Sequence, residues 1–205
     1  MQVGIPSPQG GTYVPDPAHQ GLSRRQRLAL RRREKKRSRW EWIAVIVAAV
    51  LIALLLRAFV VQTFYIPSES MLPTLHIHDR VVVNKLSYRI HGVHRGDIVV
   101  FTTPPGVNKS FKDLVKRVVA LPGETVQGKN GKVYVNGKPL KESYLFKQNV
   151  TSDFPVYKVP PNAVWVMGDN RENSEDSRVF QAIPKSTIVG RVFVRVWPPG
   201  RIKLL

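Results

Sequence analysis

The feature that most limits how this chain can fold is the run Ile43 to Leu56, which contains no polar residue at all. A helix that is apolar on every side must be buried, either in a large core or in lipid. Fourteen residues at 1.5 Å each reach about 21 Å, short of the roughly 30 Å hydrocarbon core of a bilayer. Continuing past Arg57 through Ala58-Phe59-Val60-Val61 to Phe64 gives about 33 Å, enough to span. Trp40 and Trp42 then fall at one interface and Phe64 with Tyr65 at the other, while Arg57 snorkels outward. The spacing therefore predicts one transmembrane helix over 40–64. A cleavable signal peptide is the competing reading. The run is longer than a typical h-region, starts some forty residues into the chain and lacks a convincing small-x-small site just after it, so an uncleaved anchor is favoured.

Charge then sets the topology. The net charge of +18 would ordinarily suggest a nucleic-acid partner. Ten of the basic residues (Arg24, Arg25, Arg27, Arg31, Arg32, Arg33, Lys35, Lys36, Arg37 and Arg39) form one block beside the apolar run, and from residue 61 onward there are 21 Lys/Arg against 11 Asp/Glu. That distribution suits anionic lipid headgroups, so membrane lipid is the expected partner and nucleic acid is not. By the positive-inside rule the block stays in the cytoplasm and everything after the anchor lies outside. Met1 to Ser23, rich in Pro, Gly, Ser and Gln, cannot bury enough surface to offset its ordering entropy, so 1–39 reads as a disordered, basic cytoplasmic tail. The absence of cysteine excludes a disulfide framework, a thiolate nucleophile and a Cys-ligated metal.

After Leu75 the pattern changes to period two with β-branched residues: Arg80–Val83, Asp97–Phe101, Leu114–Leu121, Lys132–Val135, Val164–Met167 and Ile188–Trp197. Asn130-Gly131 and Asn136-Gly137 are tight-turn signals on either side of one short strand. Residues 65–205 are expected to form an extracytoplasmic, mainly β domain of antiparallel sheets or barrel type, preceded by the single helix.

Three stretches hold candidate chemistry. Tyr65 to Leu75 reads Y-I-P-S-E-S-M-L-P-T-L, with Ser68 and Ser70 between Pro67 and Pro73, whose fixed φ angles stiffen the backbone on either side. A juxtamembrane Ser/Pro turn is the plain alternative. A serine nucleophile needs a base. In D-L-V-K-R-V-V-A-L-P-G-E, alternation puts Lys116 on one face with Leu114, Val118 and Ala120 and sends Arg117 to the other. On a buried face desolvation would lower the lysine pKa, and bringing it to about 7 takes ~4–5 kcal/mol; an edge-strand lysine snorkelling to water is the alternative. The polar stretch Gly168 to Arg178, G-D-N-R-E-N-S-E-D-S-R, lacks the ligand spacing of a calcium loop and reads as a rigid network of Asx turns and Arg–carboxylate pairs. His76, His78, His91 and His94 could supply a zinc site or a Ser–His pair, but no downstream acidic motif has metal-ligand form, and no metal or cofactor is expected.

Taken together, S-E-S-M-L-P-T-L, R-G-D-I-V-V-F (Arg95 to Phe101), K-R-V-V-A-L-P-G-E and the Gly168–Arg178 stretch, in this order behind one anchor, resemble the type I signal peptidases in their single-anchor form. The resemblance covers about Arg57 to Pro198. It implies a Ser-Lys serine endopeptidase that cleaves signal peptides from exported preproteins after a small-x-small site. Residue by residue it makes Ser70 the nucleophile and Lys116 the general base, with the Ser70 N–H and the Ser68 hydroxyl as the oxyanion hole. Ser174 would position the lysine amine, and Asp176 with Arg178 would hold that loop by an ion pair. Phe64, Ile66, Leu75 and Val115 would wall the pockets for small side chains. Two other classes stand beside this reading: a self-cleaving Ser-Lys regulator, which lacks its helix-turn-helix here, and a non-enzymatic anchored binding module using the basic surface.

Overall fold

In residues 60–205 the runs Val81–Val83, Ile98–Val100, Val118–Val119 and Val164–Val166 lie in antiparallel strands and are largely buried. The computed structural model describes Arg25 and residues 40–54, 60–107 and 111–205, in two compact units, Met1–Ala53 and Leu54–Leu205. The expected disordered tail and basic block lie outside the described residues apart from Arg25. Residues 40–54 form helix α1, with its side chains exposed. Among the described residues no helix is long and apolar enough to cross a membrane. The helix predicted over 40–64 does not reach Phe64: residues 55–59 lie outside the described residues, and Val61–Tyr65 is strand β1. The correction has a local cause. Gln62 and Thr63 are exposed, Phe64 turns inward, and all five residues pair with β2 (Arg80–Asn84), an arrangement that keeps polar side chains in water.

The chain continues through a helical turn α2 (Ser87–Ile90), then β3 (Ile98–Thr102), β4 (Asp113–Ala120), β5 (Thr125–Lys129), β6 (Lys132–Val135) and β7 (Lys138–Pro139). Next come β8 (Phe154–Lys158), β9 (Ala163–Met167), a second helical turn α3 (Ser177–Phe180), β10 (Ile183–Pro184), β11 (Ile188–Trp197) and β12 (Lys203–Leu204). One sheet runs β1-β2-β11-β3-β4-β9-β10 with β12 on β11, and a smaller one runs β7-β6-β5-β8. Asn130-Gly131 and Asn136-Gly137 all have positive φ (50° to 76°), the conformation that two-residue hairpin turns need, and they close β5–β6 and β6–β7.

Strand β3 is buried on both sides. Ile98 and Val100 join Ile66, Met71, Leu75, Val81 and Val83 in one cluster, while Val99 and Phe101 join Val118, Val164 and Val166 in another. A third cluster fills the space under the smaller sheet, where Trp165 stacks on Phe154 at 5.4 Å. A register shift between Val118 and Ala120 in β4 places Ala120 in this third cluster with Val119, so it does not share the Lys116 face as simple alternation predicts.

At Gly190 of β11 an added Cβ would lie 2.5 Å from the Asn84 carbonyl oxygen and 2.8 Å from Val83. Gly190→Ala should therefore destabilise the chain by about 1–3 kcal/mol through forced backbone separation, read as a lower midpoint in urea unfolding of the protein in detergent.

Candidate active site

The turn that carries Ser70 is held from below. Beyond β1, buried Ile66 donates to the Asp79 carbonyl at 2.9 Å and accepts from the His78 N–H at 2.9 Å, which fixes where the chain leaves the sheet. Two turn bonds follow, Leu72 N–H to Glu69 O at 3.0 Å and Leu75 N–H to Met71 O at 2.8 Å, and the Leu72-Pro73 peptide is cis. Met71 and Leu75 are 1% and 0% exposed and plug into the core as two apolar pins. Ser70 stays half-buried above them, its Oγ 3.3 Å from the Ser68 hydroxyl.

Lys116 reaches this hydroxyl from β4. It sits opposite Val99 on β3, on the face that also holds Leu114 and Val118, and is 3% exposed. Its Nζ donates to Ser70 Oγ at 2.7 Å. Burial pulls its pKa from 10.5 down to about 8, partly offset by the Asp176 carboxylate nearby. At pH 7 about one such lysine in ten is neutral, against about one in 2,500 for a lysine in water. Its neighbour Arg117 points to the other face and forms two bonds to Asp169, at 2.8 and 2.6 Å.

The third component is the Gly168–Arg178 loop, which follows β9 directly. Asp176 is fully buried. It caps α3, accepts from Gly168 N–H at 3.0 Å, and binds Arg178 through both oxygens at 2.8 and 2.9 Å. Arg178 in turn donates to the carbonyls of Arg171 and Ser174, so the ion pair closes the loop on itself. The loop meets the serine turn backbone to backbone, Asn170 N–H to Ser70 O at 3.0 Å. Ser174 differs from expectation: its Oγ is buried with no hydrogen-bond partner among the described residues, and is not bonded to the lysine amine. It lies against Gly168, where an added Cβ would be 2.2 Å from Ser174 Oγ and 2.5 Å from the Ser70 carbonyl oxygen. Only glycine leaves room for both.

Two clefts flank the Ser70–Lys116 contact. One, of about 440 Å³, is lined by Phe64, Ile66, Met71, Leu114 and Val115 along with both serines and the lysine. The other, of about 240 Å³, adds Glu69, Val107, Asn173 and Glu175. Three of the four expected pocket residues are on the first wall. Leu75 is not, because the turn directs it into the core between Met71 and Val81. Met71, Phe111 and Leu114 line the cleft unforeseen; the alternation of β4 brings Leu114 to the Lys116 face, and Phe111 sits before that strand begins. The histidines do not gather. His78 bonds Tyr65, His91 and His94 rings lie 5.6 Å apart beside α2, and no group of three His or acidic residues among the described residues could hold a metal.

The model of the family described as signal peptidase, peptidase S26, matches residues 39–197. This chain belongs to that family. Among its relatives are a signal peptidase I of Leptolyngbya laminosa, 44% identical over 79% of this chain and 81% of that protein, and a probable signal peptidase I-1 of Synechocystis sp., 46% identical over 78% and 84%. A signal peptidase I of Bacillus caldolyticus is 40% identical over 82% of this chain and 94% of its own length. Family membership makes the chain a serine endopeptidase, and all four stretches that carry the family resemblance fall within the matched residues.

Two measurements check this site. Gly168→Ala should cut peptidase activity severely while the fold survives, because the added methyl must displace either Ser174 or the Ser70 backbone; unchanged kcat would contradict the packing. The lysine also leaves a signature in stability. Its folded pKa is lowered, so between about pH 8 and 10.5 the unfolded chain binds more protons and stability rises with pH, by up to about 3 kcal/mol, with the full penalty present below pH 8. In urea titrations this increment should be missing from Lys116→Met.

Proposed function

We propose that this chain is a membrane-anchored signal peptidase that cuts preproteins after a small-x-small site with Ser70 as nucleophile and Lys116 as general base. The observation that carries the reading is the 2.7 Å contact between Lys116 Nζ and Ser70 Oγ, made by a lysine whose pKa is lowered to about 8. A neutral amine at that distance takes the Ser70 proton as Oγ attacks the scissile carbonyl carbon. The carbonyl electrons move onto oxygen, where the Ser70 N–H and the Ser68 hydroxyl stabilise the charge. On collapse the peptide C–N bond breaks, the Lys116 ammonium protonates the leaving amine, and an acyl-enzyme remains. Lys116 then removes a proton from water as it attacks the ester carbonyl, and returns that proton to Ser70 Oγ as the ester C–O bond breaks and the signal peptide leaves as a carboxylate.

Substrate selection follows from the larger cleft. Phe64, Ile66 and Val115 wall this cleft beside Ser70 and Lys116, and the small side chains before the scissile bond are assigned to it. Asp176 and Arg178 hold the loop that backs the lysine, and Ser174 fills the gap against Gly168 beside it.

The anchor is the apolar segment that includes α1, whose exposed Ile, Val and Leu side chains suit lipid and whose Trp40 and Trp42, 62% and 67% exposed, mark one interface. Because β1 begins at Val61, the anchor ends before that residue. The basic block places residues 1–39 in the cytoplasm, against anionic lipid, and the β domain on the outer side.

Purified protein in detergent with a preprotein substrate tests the reading. Ser70→Ala and Lys116→Ala should each reduce processing to background with the domain still folded, and Ser68→Ala should lower kcat by about 100- to 1,000-fold. For the wild type, kcat/KM should rise with pH along a limb near 8, where Lys116 loses its proton. Near-normal cleavage by either dyad variant, or a profile flat down to pH 4, would sink the assignment.

A further inference from the structure

The segment between β7 and β8 lines neither cleft at the Ser70–Lys116 contact, yet it bonds two residues that follow Gly168, Asp169 through Asn149 and Arg171 through Glu142. Glu142 receives Arg171 through both carboxylate oxygens, Nη1 at 3.0 Å and Nη2 at 2.5 Å. Arg171, 2% exposed, is among the largest fully buried side chains of the described chain, and its Nε donates to the Gly168 carbonyl at 3.1 Å. Tyr144 donates its hydroxyl to Glu142 at 2.7 Å and lays its ring under the Arg117 guanidinium, 4.1 Å from the ring centroid. Arg117 follows Lys116 in β4 and holds Asp169, the residue after Gly168; Asp169 also receives the Thr74 hydroxyl from the serine turn at 2.5 Å.

One short segment is therefore bonded to two buried arginines. The first fixes the carbonyl of Gly168 and the second fixes Asp169, the lysine strand and, through Thr74, the turn that carries Ser70. We propose that Glu142 and Tyr144 are positioning residues for catalysis, holding the Gly168–Arg171 segment and Arg117 so that Ser70 and Lys116 stay at bonding distance. Burial and the adjacent Glu142 carboxylate push the Tyr144 hydroxyl pKa well up, so it remains a donor throughout the working pH range. Neither residue touches a cleft that receives substrate, and displacement of a reacting group by about 1 Å costs on the order of 100-fold in rate. Their loss should therefore appear in kcat and leave KM alone.

The inference rests on the Ser70–Lys116 reading, and Ser70→Ala run alongside separates the two. Retained cleavage in that control would overturn the dyad, whereas its loss together with wild-type kinetics in the variants below would overturn only the positioning role. Steady-state cleavage of a preprotein is measured for Tyr144→Phe and Glu142→Gln in the full chain in detergent, with rates referred to the folded fraction from thermal melts. Tyr144→Phe keeps the ring under Arg117 and removes one bond; kcat should fall about tenfold with KM within about twofold, and Glu142→Gln about 100-fold. The acylation rate of Ser70 by a small serine-directed acylating reagent should fall in parallel, and the Lys116 limb of the pH profile should move. Wild-type kcat in the folded variants, or an effect confined to KM, overturns the proposal. Should Glu142→Gln not fold, Tyr144→Phe decides alone.

Discussion

The bidentate pair between Arg117 and Asp169 is the contact on which the site's geometry depends. Arg117 is adjacent to Lys116 and Asp169 is adjacent to Gly168, so one ion pair ties the lysine strand to the loop that packs against the serine turn. Both side chains are largely withdrawn from water, at 11% and 0% exposure, where charges are tolerable only with hydrogen-bond partners around them. Partners are supplied here: Arg117 also donates to the Gly96 carbonyl and the Thr74 hydroxyl, and Asp169 also accepts from Thr74. Such a pair adds little net stability. What it supplies is a single permitted arrangement of three segments that are distant in the chain.

Lys116 shows the opposite economy. Its ammonium is buried on a face of valines and forms no ion pair among the described residues, so the folded state carries a penalty that the unfolded chain escapes. The rest of the core offsets that penalty. The clusters around β3 are continuous valine, isoleucine and phenylalanine on both faces of the strand, enough apolar burial to hold an ill-solvated lysine in place. A site of this kind is expected where stability has been given up for reactivity.

The proposed reacting groups were legible in the sequence because their four stretches occur in one order behind one apolar run, while each stretch alone left a plain alternative. Ser70 lies between prolines, Lys116 is an intruder in an apolar strand, and Asp176 and Arg178 are two residues apart. What stayed hidden depends on contacts between distant residues. Leu75 looks like a pocket wall until the turn aims it inward, and Ala120 leaves the Lys116 face only because of a register shift in β4. Strand β1 was masked by its continuity with the apolar run. Strands β5 and β8 were masked by Gly128 and Pro155: a Cβ at Gly128 would lie 2.4 Å from the Phe154 ring, so the inward position is empty in sequence and filled in space. Glu142 and Tyr144 give no local sign of their contacts to the site, since the arginines they meet lie 29 and 27 residues away.

The two hairpins of the smaller sheet have a further meaning. Asn136-Gly137 turns the chain between β6 and the two-residue strand β7, its residues are exposed, and no residue of that turn lines either cleft. The chain meets Arg171 again at Glu142, five residues beyond Gly137. Sequence added at this turn would extend into solvent, away from the Ser70–Lys116 contact. The turn is thus a port at which the molecule can be lengthened, labelled or fused without entering either cleft.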